Sequence, residues 1–592
     1  MKNNIIRLAF GLLFFILGLI FDLLLFYLVS YIILGYDIFI KSFNNIKNKD
    51  FFDENTLMLL ATVCAFLISK NSEAVLVIML YQMGETLSDY AVDSSKEKIA
   101  KLMDLRVDTA RVVDNNKETM VESCDVKIGE VVLVKPGEKV PLDGVCLSSS
   151  VSLDTKSLTG EALPVVVSLD DEVLSGSIVL NKPIMVKVTK RFDDCTVSKI
   201  VKFMMDADTN KTDKERFITR FSKVYTPIIC ALALLIFLIP TVLGYDFKVY
   251  LYKALIFLVI SCPCALVISV PLSFFSGIGR CSKEGILVKN TMILEKALLI
   301  TTIFYDKTGT LTNGEFEVVD IVPSKGVSSD KLKELSTAAE IYSNHPLSNV
   351  LSFDYKILKK DVKDLEEVAG KGIRCLYKNK ELLVGKFKEN NLEVFGSVVN
   401  IIYDDKYIGY IVISDTLKKE SKDAVSRLKK MGIEQVMLTG DNETFAKKIA
   451  SKLGINYKAS LLPIDKAKNV SRALSNDKVA AFVGDGINDA PSLVTSDIGI
   501  SMGGIGSDVA LEASQVVLMN DNLNGIEKLI NISKYTDLKI KENIIFALCF
   551  KILILILGLF GSVSIYMAIF ADVGVMLLTI LNSLLIFKKK FD

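Results

Sequence analysis

Long apolar segments follow one another in pairs along the chain, and two long polar inserts separate the pairs. The first apolar stretch, 5–40, is too long for one bilayer crossing and is interrupted at Asp22, which indicates two short helices that turn near this residue. Because about twenty apolar residues cross a bilayer as a helix, the pattern predicts about eight transmembrane helices. The other apolar segments are, approximately, 56–69, 74–90, 224–243, 249–278, 544–560 and 565–587.

The two polar inserts differ in how their apolar residues are spaced. The first, about 100–200, is rich in Val, Thr and Lys and contains turn signals such as Pro136-Gly137, which predicts a small β domain. In the second, about 283–540, apolar strands alternate with helical stretches, which predicts a mostly parallel sheet. The predicted fold class is therefore multidomain, with an α-helical membrane bundle, a small β domain and an α/β domain.

Lysine residues indicate how the bundle is oriented. Lys41, Lys47 and Lys49 lie between the second and third predicted spans, and three lysines at 588–590 close the chain. The loops on the opposite side are short and carry few positive charges. The positive-inside rule therefore predicts that both termini and both inserts lie in the cytosol.

Composition narrows the class of protein. Of the 592 residues, 51% are hydrophobic and the mean hydropathy is +0.40, so the chain is too apolar for an ordinary soluble protein. Because 23% of the residues are charged, the chain cannot lie in the membrane throughout. A net charge of +1 predicts no nucleic-acid partner. Ten cysteines without framework spacing indicate reduced soluble parts. The first apolar run lacks a small-residue cleavage site, so we expect it to be retained.

The most informative polar motif is DKTGT, residues 306–310. The apolar, β-branched run 298–305 before it predicts a buried strand that ends at Asp306. In an open α/β sheet, reactive groups collect at the carboxyl ends of the strands. A carboxylate at that position can attack a phosphoryl group and form an acyl phosphate, while Thr308 and Thr310 offer hydroxyls and Gly309 lets the backbone approach a phosphate.

Four motifs together resemble those of a known family. They are TGE at 159–161, CPC at 262–264, TGD at 439–441 and GDGIND at 484–489. Their order and spacing resemble the P-type ATPases, and the cysteine pair resembles the heavy-metal branch, which couples ATP hydrolysis to the pumping of soft metal ions. The resemblance runs from about residue 5 to the end.

The resemblance implies a role for each motif residue in phosphoryl transfer. It implies a β actuator domain in which Glu161 positions the water that hydrolyses the acyl phosphate, and a haloacid-dehalogenase-like α/β phosphorylation domain. There, Thr439 holds a phosphoryl oxygen and Lys466 neutralises charge on the transferred group. The implied catalytic residues are Asp306, Lys307, Thr308, Glu161, Thr439, Gly440, Asp441 and Lys466, and the implied Mg²⁺ ligands are Asp306, Thr308, Asp485 and Asp489, with Asn488 nearby.

A segment at about 320–412 interrupts the phosphorylation domain and contains the single histidine of the chain, His345. The residues around it match the signature of the family's inserted α+β nucleotide-binding domain. The resemblance therefore implies ATP binding by Glu340, His345, Pro346, Gly370 and Gly372.

The CPC motif lies inside an apolar segment, where Pro263 and Pro271 each remove a helix hydrogen bond. Broken backbone at membrane depth is tolerated where it lines a cavity or is packed in protein. Cys262 and Cys264 flank this break, and their thiolates are soft ligands for Zn²⁺, Cd²⁺, Pb²⁺ or Cu⁺.

Two charged residues in the last two spans indicate the metal. Lys551 and Asp572 are costly at membrane depth, and such residues are usually functional and paired. A carboxylate beside two thiolates suits a borderline divalent ion better than Cu⁺. In this combination of residues the chain resembles the Zn/Cd/Pb subgroup of the family. The transported ion is thus predicted to bind Cys262, Cys264 and Asp572, with Lys551 neutralising the empty site. Glu85 matches a pathway acid near the exit.

Two alternatives stay open at this point. Met567 and Met576 offer thioethers to a Cu⁺ exporter on the same scaffold, and a catalytically silent membrane metal sensor would need none of the phosphoryl chemistry. The leading interpretation is a monomeric exporter in the plasma membrane. Because the apolar region starts within ten residues of Met1, we expect the N-terminal metal-binding domain of many relatives to be absent.

The predicted boundaries follow from these assignments: 1–95 for the first four transmembrane helices, 96–215 for the actuator domain, 216–282 for the next two helices with the CPC motif, 283–319 and 413–540 for the phosphorylation domain, 320–412 for the nucleotide-binding domain and 541–592 for the last two helices.

Overall fold

The structure is a computed structural model. It describes residues 2–47, 54–102, 107–114, 117–155, 165–195, 197–198, 212–261, 264–341, 348–355, 357, 359–368, 372–385, 397–441, 443–474, 478–485, 489–503, 512–559 and 565–591. The chain divides into two compact units, Met1–Leu299 with Lys528–Asp592, and Ile300–Glu527.

The first unit contains the apolar helices. In chain order they are α1 (Lys2–Phe21), α2 (Leu24–Lys47), α3 (Glu54–Leu67), α4 (Asn71–Leu102), α5 (Asp213–Val242), α6 (Phe247–Ile260), α7 (Cys264–Lys283), α15 (Asn524–Leu559, from Lys528 onward) and α16 (Ile565–Lys588). The predicted turn near Asp22 is confirmed, because α1 ends at Phe21 and Asp22 has a φ of +47°. A short strand, β10 (Ile286–Val288), and a short helix, α8 (Thr291–Ala297), follow α7.

Length and composition identify candidate membrane spans in the described part of the chain. Three stretches are long and apolar enough to cross a membrane, namely Leu24–Lys47, Asp213–Val242 and Phe247–Lys283. Three shorter apolar stretches are Ile6–Phe21, Asn55–Leu67 and Asp572–Phe587. The count of about eight spans stays a prediction.

Small residues and hydroxyl groups allow the helices to pack closely. A Cβ on Gly84 of α4 would lie 2.6 Å from the Cε atom of Met576 on α16, so a larger residue there would have to displace the end of the methionine side chain. Between α7 and α16, the hydroxyls of Ser273 and Ser583 lie 2.8 Å apart, and Asn543 of α15 donates to Ser583 at 2.9 Å. These contacts join α7, α15 and α16.

The first insert is an antiparallel β domain, as predicted. Its strands are β1 (Thr109–Asp114), β2 (Lys117–Glu122), β3 (Val131–Val134), β4 (Gly144–Cys146), β5 (Val151–Asp154), β6 (Val165–Val167), β7 (Glu172–Val173), β8 (Ile178–Val179) and β9 (Ile184–Val188). They form a six-stranded sheet, β2-β1-β3-β9-β4-β7, and a three-stranded sheet, β6-β5-β8. Valine-rich strands bury alternate side chains, for example along β9.

The second unit starts with β11 (Ile300–Asp306) and continues into an antiparallel sheet. The strands of that sheet are β12 (Thr312–Pro323), β13 (Val362–Val368), β14 (Gly372–Tyr377), β15 (Lys380–Gly385), β16 (Ser397–Tyr403) and β17 (Lys406–Leu417), in the order β12-β17-β16-β15-β14-β13. Helices α9 (Ser329–Glu340) and α10 (Ser348–Leu351) belong to the same part of the chain. The predicted boundaries at 320 and 412 fall inside the paired strands β12 and β17.

A parallel sheet completes the second unit. Its strands are β11, β18 (Glu434–Leu438), β19 (Asn456–Lys458), β20 (Val479–Gly484), β21 (Ile498–Met502) and β22 (Val516–Leu518), in the order β22-β21-β20-β11-β18-β19. Helices α11 (Ser421–Lys430), α12 (Glu443–Leu453), α13 (Pro463–Leu474) and α14 (Ala490–Thr495) alternate with the strands. Because β11 lies between β18 and β20, the residues that follow these three strands meet at one edge of the sheet.

Candidate active site and cation-binding residues

Asp306 is the last residue of β11, and its side chain is buried. The chain leaves the strand in a single irregular turn, Lys307–Leu311, in which Gly309 has a φ of +71°. A Cβ on Gly309 would meet Asp485 only at ordinary contact distance, 3.7 Å, so glycine is needed for the backbone conformation and not for space. The same contact shows that Asp485 faces this turn.

Lys466 joins two carboxylates at the centre of the site. Its Nζ atom, on α13, donates to Asp306 Oδ1 at 2.5 Å and to Asp489 Oδ1 at 2.9 Å. All three side chains are buried, and Asp489 is only 1% exposed. The cluster holds one positive and two negative charges, so it keeps a surplus negative charge when fully ionised.

Burial and charge shift the pKa values of these groups in a consistent way. Burial, together with the charge of Asp489, raises the pKa of Asp306 to about 6, although Lys466 opposes the shift. Burial also raises the pKa of Asp489. Burial by itself would lower the pKa of Lys466, but the two carboxylates outweigh it and raise that pKa. Lys466 therefore stays charged and helps keep Asp306 in the ionised, nucleophilic form.

The loop after β18 holds a second ion pair beside the DKTGT turn. Lys307 Nζ lies 2.6 Å from Asp441 Oδ2. The backbone N–H of Asp441 donates to Thr439 Oγ1 at 3.1 Å, which orients the buried threonine at the end of the strand. A Cβ on Gly440 would approach the carbonyl oxygen of Leu461 at 3.3 Å. The predicted residues Thr439, Gly440 and Asp441 thus lie together with Lys307.

Asp415 belongs to this region but was not predicted. It lies near the end of β17 and is 7% exposed. Thr312 Oγ1 and the N–H of Gly314 donate to its carboxylate at 2.5 and 3.0 Å, and Lys307 Nζ is 4.0 Å away. Burial raises its pKa. An acid two positions after the apolar run 411–413, separated from it by Ser414, is the sequence signal that could have identified it.

The donor set fits Mg²⁺. Oxygen ligands suit this cation, and carboxylates converge on the carboxyl edge of the sheet. Among the described residues, Asp489 Oδ2 and Thr310 Oγ1 are buried without a hydrogen-bond partner. A Cβ on Gly484 would lie 2.8 Å from Asp489 Oδ2, so glycine keeps the space beside this oxygen clear. The residues that would hold the ion are the predicted ones, Asp306, Thr308, Asp485 and Asp489.

Several predicted residues lie outside the described part of the chain. These are Glu161 in the actuator loop, His345, Pro346 and Gly370 in the nucleotide-binding segment, and Cys262; Cys264 begins α7, but its side chain is not described.

Two residues predicted to bind ATP are described. Glu340 is buried at the end of α9, and its charge, together with burial, raises the pKa of Cys375 on β14 to about 11, burial being the larger cause. Gly372 has a φ of +135°, and a Cβ there would lie 2.3 Å from the carbonyl oxygen of Val384. Glycine at 372 is therefore explained by the pairing of β14 with β15.

Lys551 and Asp572 form a buried ion pair between α15 and α16. Lys551 Nζ lies 2.5 Å from Asp572 Oδ1 and donates to the carbonyl oxygen of Ile260 at 3.3 Å. Ile260 is the last residue of α6, two positions before Cys262. The structure thus brings the predicted lysine and carboxylate to the helix end that carries the cysteine motif.

Glu85 forms an ion pair between two helices of the bundle. Its carboxylate on α4 pairs with Lys41 Nζ on α2 at 3.0 Å. Its role as a pathway acid near the exit stays a prediction.

The methionines considered for Cu⁺ do not converge. Met567 is 50% exposed, whereas Met576 is buried and packs on Gly84 of α4.

Comparisons with known proteins match both inserts and the full length. Residues 104–205 match the model of the P-type ATPase actuator domain, and residues 300–497 match that of the haloacid dehalogenase-like hydrolases. The chain is 41% identical to the cadmium, zinc and cobalt-transporting ATPase of Bacillus subtilis (strain 168) over 95% of this chain and 83% of that protein. It is 40% identical to the zinc-transporting ATPase of Synechocystis sp. over 94% of this chain and 79% of that protein.

A solved structure agrees with these matches. The crystal structure of a zinc-transporting PIB-type ATPase in the E2.Pi state superposes with a TM-score of 0.69 at 32% identity, and the match covers 99% of this chain and 100% of that one. A second crystal structure of a zinc-transporting PIB-type ATPase gives a TM-score of 0.64 at 32% identity and covers 99% of both chains.

Proposed function

The chain belongs to the P-type ATPases, and from this membership we propose that it uses ATP to export a soft divalent metal ion, Zn²⁺, Cd²⁺ or Pb²⁺, from the cytosol. As a member of this family it is an ATP-hydrolysing enzyme that works through an aspartyl phosphate. The observation that carries the choice of ion is the Lys551–Asp572 pair at the end of α6, beside the cysteine motif.

In the phosphorylation step, a carboxylate oxygen of Asp306 attacks the γ-phosphorus of ATP, and the bond to the bridging oxygen breaks so that ADP leaves. Lys466 is 2.5 Å from Asp306 and neutralises negative charge as it builds up on the phosphoryl oxygens. Thr439 holds one of these oxygens. Mg²⁺, held by Asp306, Thr308, Asp485 and Asp489, would supply further charge neutralisation.

Two further groups of residues complete the catalytic cycle. Glu340, His345, Pro346, Gly370 and Gly372 bind ATP in the inserted domain, 320–412. Glu161, in the loop between β5 and β6, accepts a proton from the water that attacks the phosphorus of phospho-Asp306, so that inorganic phosphate leaves and the carboxylate is restored.

In the membrane, Cys262, Cys264 and Asp572 hold the ion. Lys551 must leave Asp572 when the ion enters and returns to it after release, so it replaces the lost positive charge. Support for the predicted orientation, with about eight spans and cytosolic termini in the plasma membrane, comes from the lysines at the ends of α2 and α16. We propose a monomer as the working unit.

Cu⁺ export is less well supported. A two-thiolate site would need the thioethers of Met567 or Met576 nearby, and these side chains lie apart, one exposed and the other packed against α4.

The test is a metal panel in reconstituted vesicles that contain the full chain. We expect Zn²⁺, Cd²⁺ or Pb²⁺ to stimulate ATP hydrolysis and metal flux, and Asp572→Ala to lose this stimulation while it still binds ATP. Asp405→Asn, at the exposed turn between β16 and β17, is the matched control and should behave as the parent. Stimulation by Cu⁺ only would contradict the proposal.

A further inference from the structure

A cavity lies between α5, α6 and the end of α15, and neither Lys551 nor Asp572 is among its lining residues. Its volume is about 340 Å³, and its walls include Pro240 of α5, Ile256 of α6 and Leu555 of α15. Most of its lining is apolar. A largely apolar cavity at membrane depth favours a hydrocarbon chain over a hydrated ion.

The cavity follows α6 for most of the length of that helix. Its lining starts at Val249 and ends at Ile260. At a rise of 1.5 Å per residue, these positions are about 16 Å apart along the axis. Such a long, narrow, apolar space matches an extended acyl chain.

A positive charge and aromatic side chains lie at one end of the cavity. Lys253 lines it, and its Nζ atom lies 4.9 Å from the ring centroid of Tyr250. Lys253 makes no ion pair with any residue that the structure describes. Tyr252 also lines the cavity, and Lys70 Nζ is 5.4 Å from its ring. Tyrosine is enriched at membrane interfaces, and a long lysine side chain can extend its ammonium group toward one.

We propose that this space, the α5–α6 cavity, is a binding site for an anionic phospholipid. The phosphate of the head group pairs with Lys253, and the first part of one acyl chain runs about 10 Å along α6, from the level of Lys253 to Ile260. The proposal depends on the membrane assignment made above, but not on which ion is transported.

The deep end of the site lies next to the transport pair. Ile260 forms part of the cavity wall, and its carbonyl oxygen accepts the hydrogen bond from Lys551. An acyl chain in the cavity therefore keeps water away from that end of α6. This contact gives the lipid a route by which it can influence the Lys551–Asp572 pair.

The test uses native mass spectrometry to measure the lipid that the full chain retains in mild detergent. Phosphatidylglycerol and phosphatidylcholine are supplied at equal concentration, without ATP or metal. We expect phosphatidylglycerol to be retained preferentially. Lys253→Gln should lower its retention about fivefold, the factor expected for one lysine near an anionic membrane surface. Lys248→Gln, an exposed lysine on α6 outside the cavity, is the matched control.

A second variant tests the acyl-chain part of the site. Among the described residues, a Cβ on Gly558 of α15 would meet only Ile260, at 3.8 Å, so Gly558→Leu can fill the cavity without a clash with the described backbone. We expect it to lower the retention of both lipids, while circular dichroism shows unchanged helix content.

Three results would overturn the proposal. They are equal retention of the two lipids, unchanged retention in Lys253→Gln, and displacement of the lipid by glycerol phosphate, which has no acyl chain. A Gly558→Leu variant that slows metal release in lipid-free detergent would assign the cavity to the ion path instead. Because retention is measured without ATP or metal, failure of the transport proposal would leave this result unaffected.

Discussion

Each compact unit contains a buried lysine 2.5 Å from a carboxylate, but the two sites differ in net charge. In the sheet unit, Lys466 also contacts Asp489, so the ionised site carries one surplus negative charge. In the helical unit, the second partner of Lys551 is the neutral carbonyl of Ile260, so the ionised pair has no net charge.

This difference in charge explains what each site can do. The surplus charge around Asp306 attracts a cation without requiring Lys466 to leave. The pair in the helical unit is already neutral, so in the proposed cycle Asp572 binds a cation after Lys551 moves away. The sheet site can accept a cation while Lys466 stays in place, whereas the proposed metal site exchanges one positive charge for another.

The largest effect is expected when the nucleophile is removed. Asp306→Asn should lower ATP hydrolysis by about a thousandfold or more, because no acyl phosphate can form. Metal binding by the helical unit should persist, which would separate the two sites. Radiolabelled phosphate transferred from ATP to acid-precipitated protein measures the step.

Asp405→Asn serves as the control for that loss, and labelling of Asp306→Asn would refute the assignment of the nucleophile. Labelling of the parent chain would also exclude the silent metal sensor.

Removing the lysine of the sheet site should destabilise β11. Lys466→Met leaves two buried carboxylates without their shared partner, and we expect a loss of about 3 kcal/mol in local opening free energy at neutral pH. Hydrogen exchange of the β11 amides measures it. The loss should shrink at pH 5, because one carboxylate can then take up a proton.

The matched control is Lys468→Met on the same helix, since Lys468 is 62% exposed. An equal loss in both variants would show that the two buried carboxylates are not the cause.

The raised pKa of Asp306 predicts a pH-dependent change in the stability of β11, slightly smaller than the loss expected for Lys466→Met. Burial and the charge of Asp489 raise this pKa from 3.8 to about 6, so the folded state binds the proton more tightly than the unfolded chain. This stabilising contribution is fully present below pH 3.8 and is lost as pH rises through about 6. The side chain in Asp306→Asn stays neutral at every pH. The free energy of opening of β11 in this variant, minus that in the parent, should therefore rise by about 2 kcal/mol between pH 4 and pH 7.

This comparison is made without Mg²⁺ or nucleotide, again by hydrogen exchange. A difference that stays constant or falls with rising pH would contradict the raised pKa.

The smallest effect is expected at the lysine of the helical site. Lys551→Met leaves Asp572 without its positive partner, so the ion should bind more tightly and leave more slowly. We expect the KM for metal and kcat each to fall about tenfold, equivalent to about 1.4 kcal/mol. Metal-stimulated ATP hydrolysis separates the two constants.

Lys541→Met on the same helix is the control, because Lys541 is 65% exposed. A higher KM in Lys551→Met would show that this lysine helps the ion to bind, and the contrast between the two sites would fail.

Much of the fold was predictable because local patterns determine it. The apolar run before DKTGT predicted β11 and its end at Asp306, and a stretch rich in Val, Thr and Lys with turn signals predicted the β domain. The charged residue within the first apolar stretch predicted the turn near Asp22. The domain boundary predicted at 320 falls within β12, because that strand is long enough to pair continuously with β17.

The sequence by itself determined the elements that carry the motifs and predicted which residues carry the chemistry, since motifs and periodicity are local properties of the chain. Only the tertiary structure decided how those residues pair: Lys466 with Asp306, 160 positions away, Lys551 with the end of α6, and Glu85 with Lys41. The physical reason is that such contacts depend on how strands and helices pack, and no local pattern encodes which charged side chains that packing brings within a few ångströms.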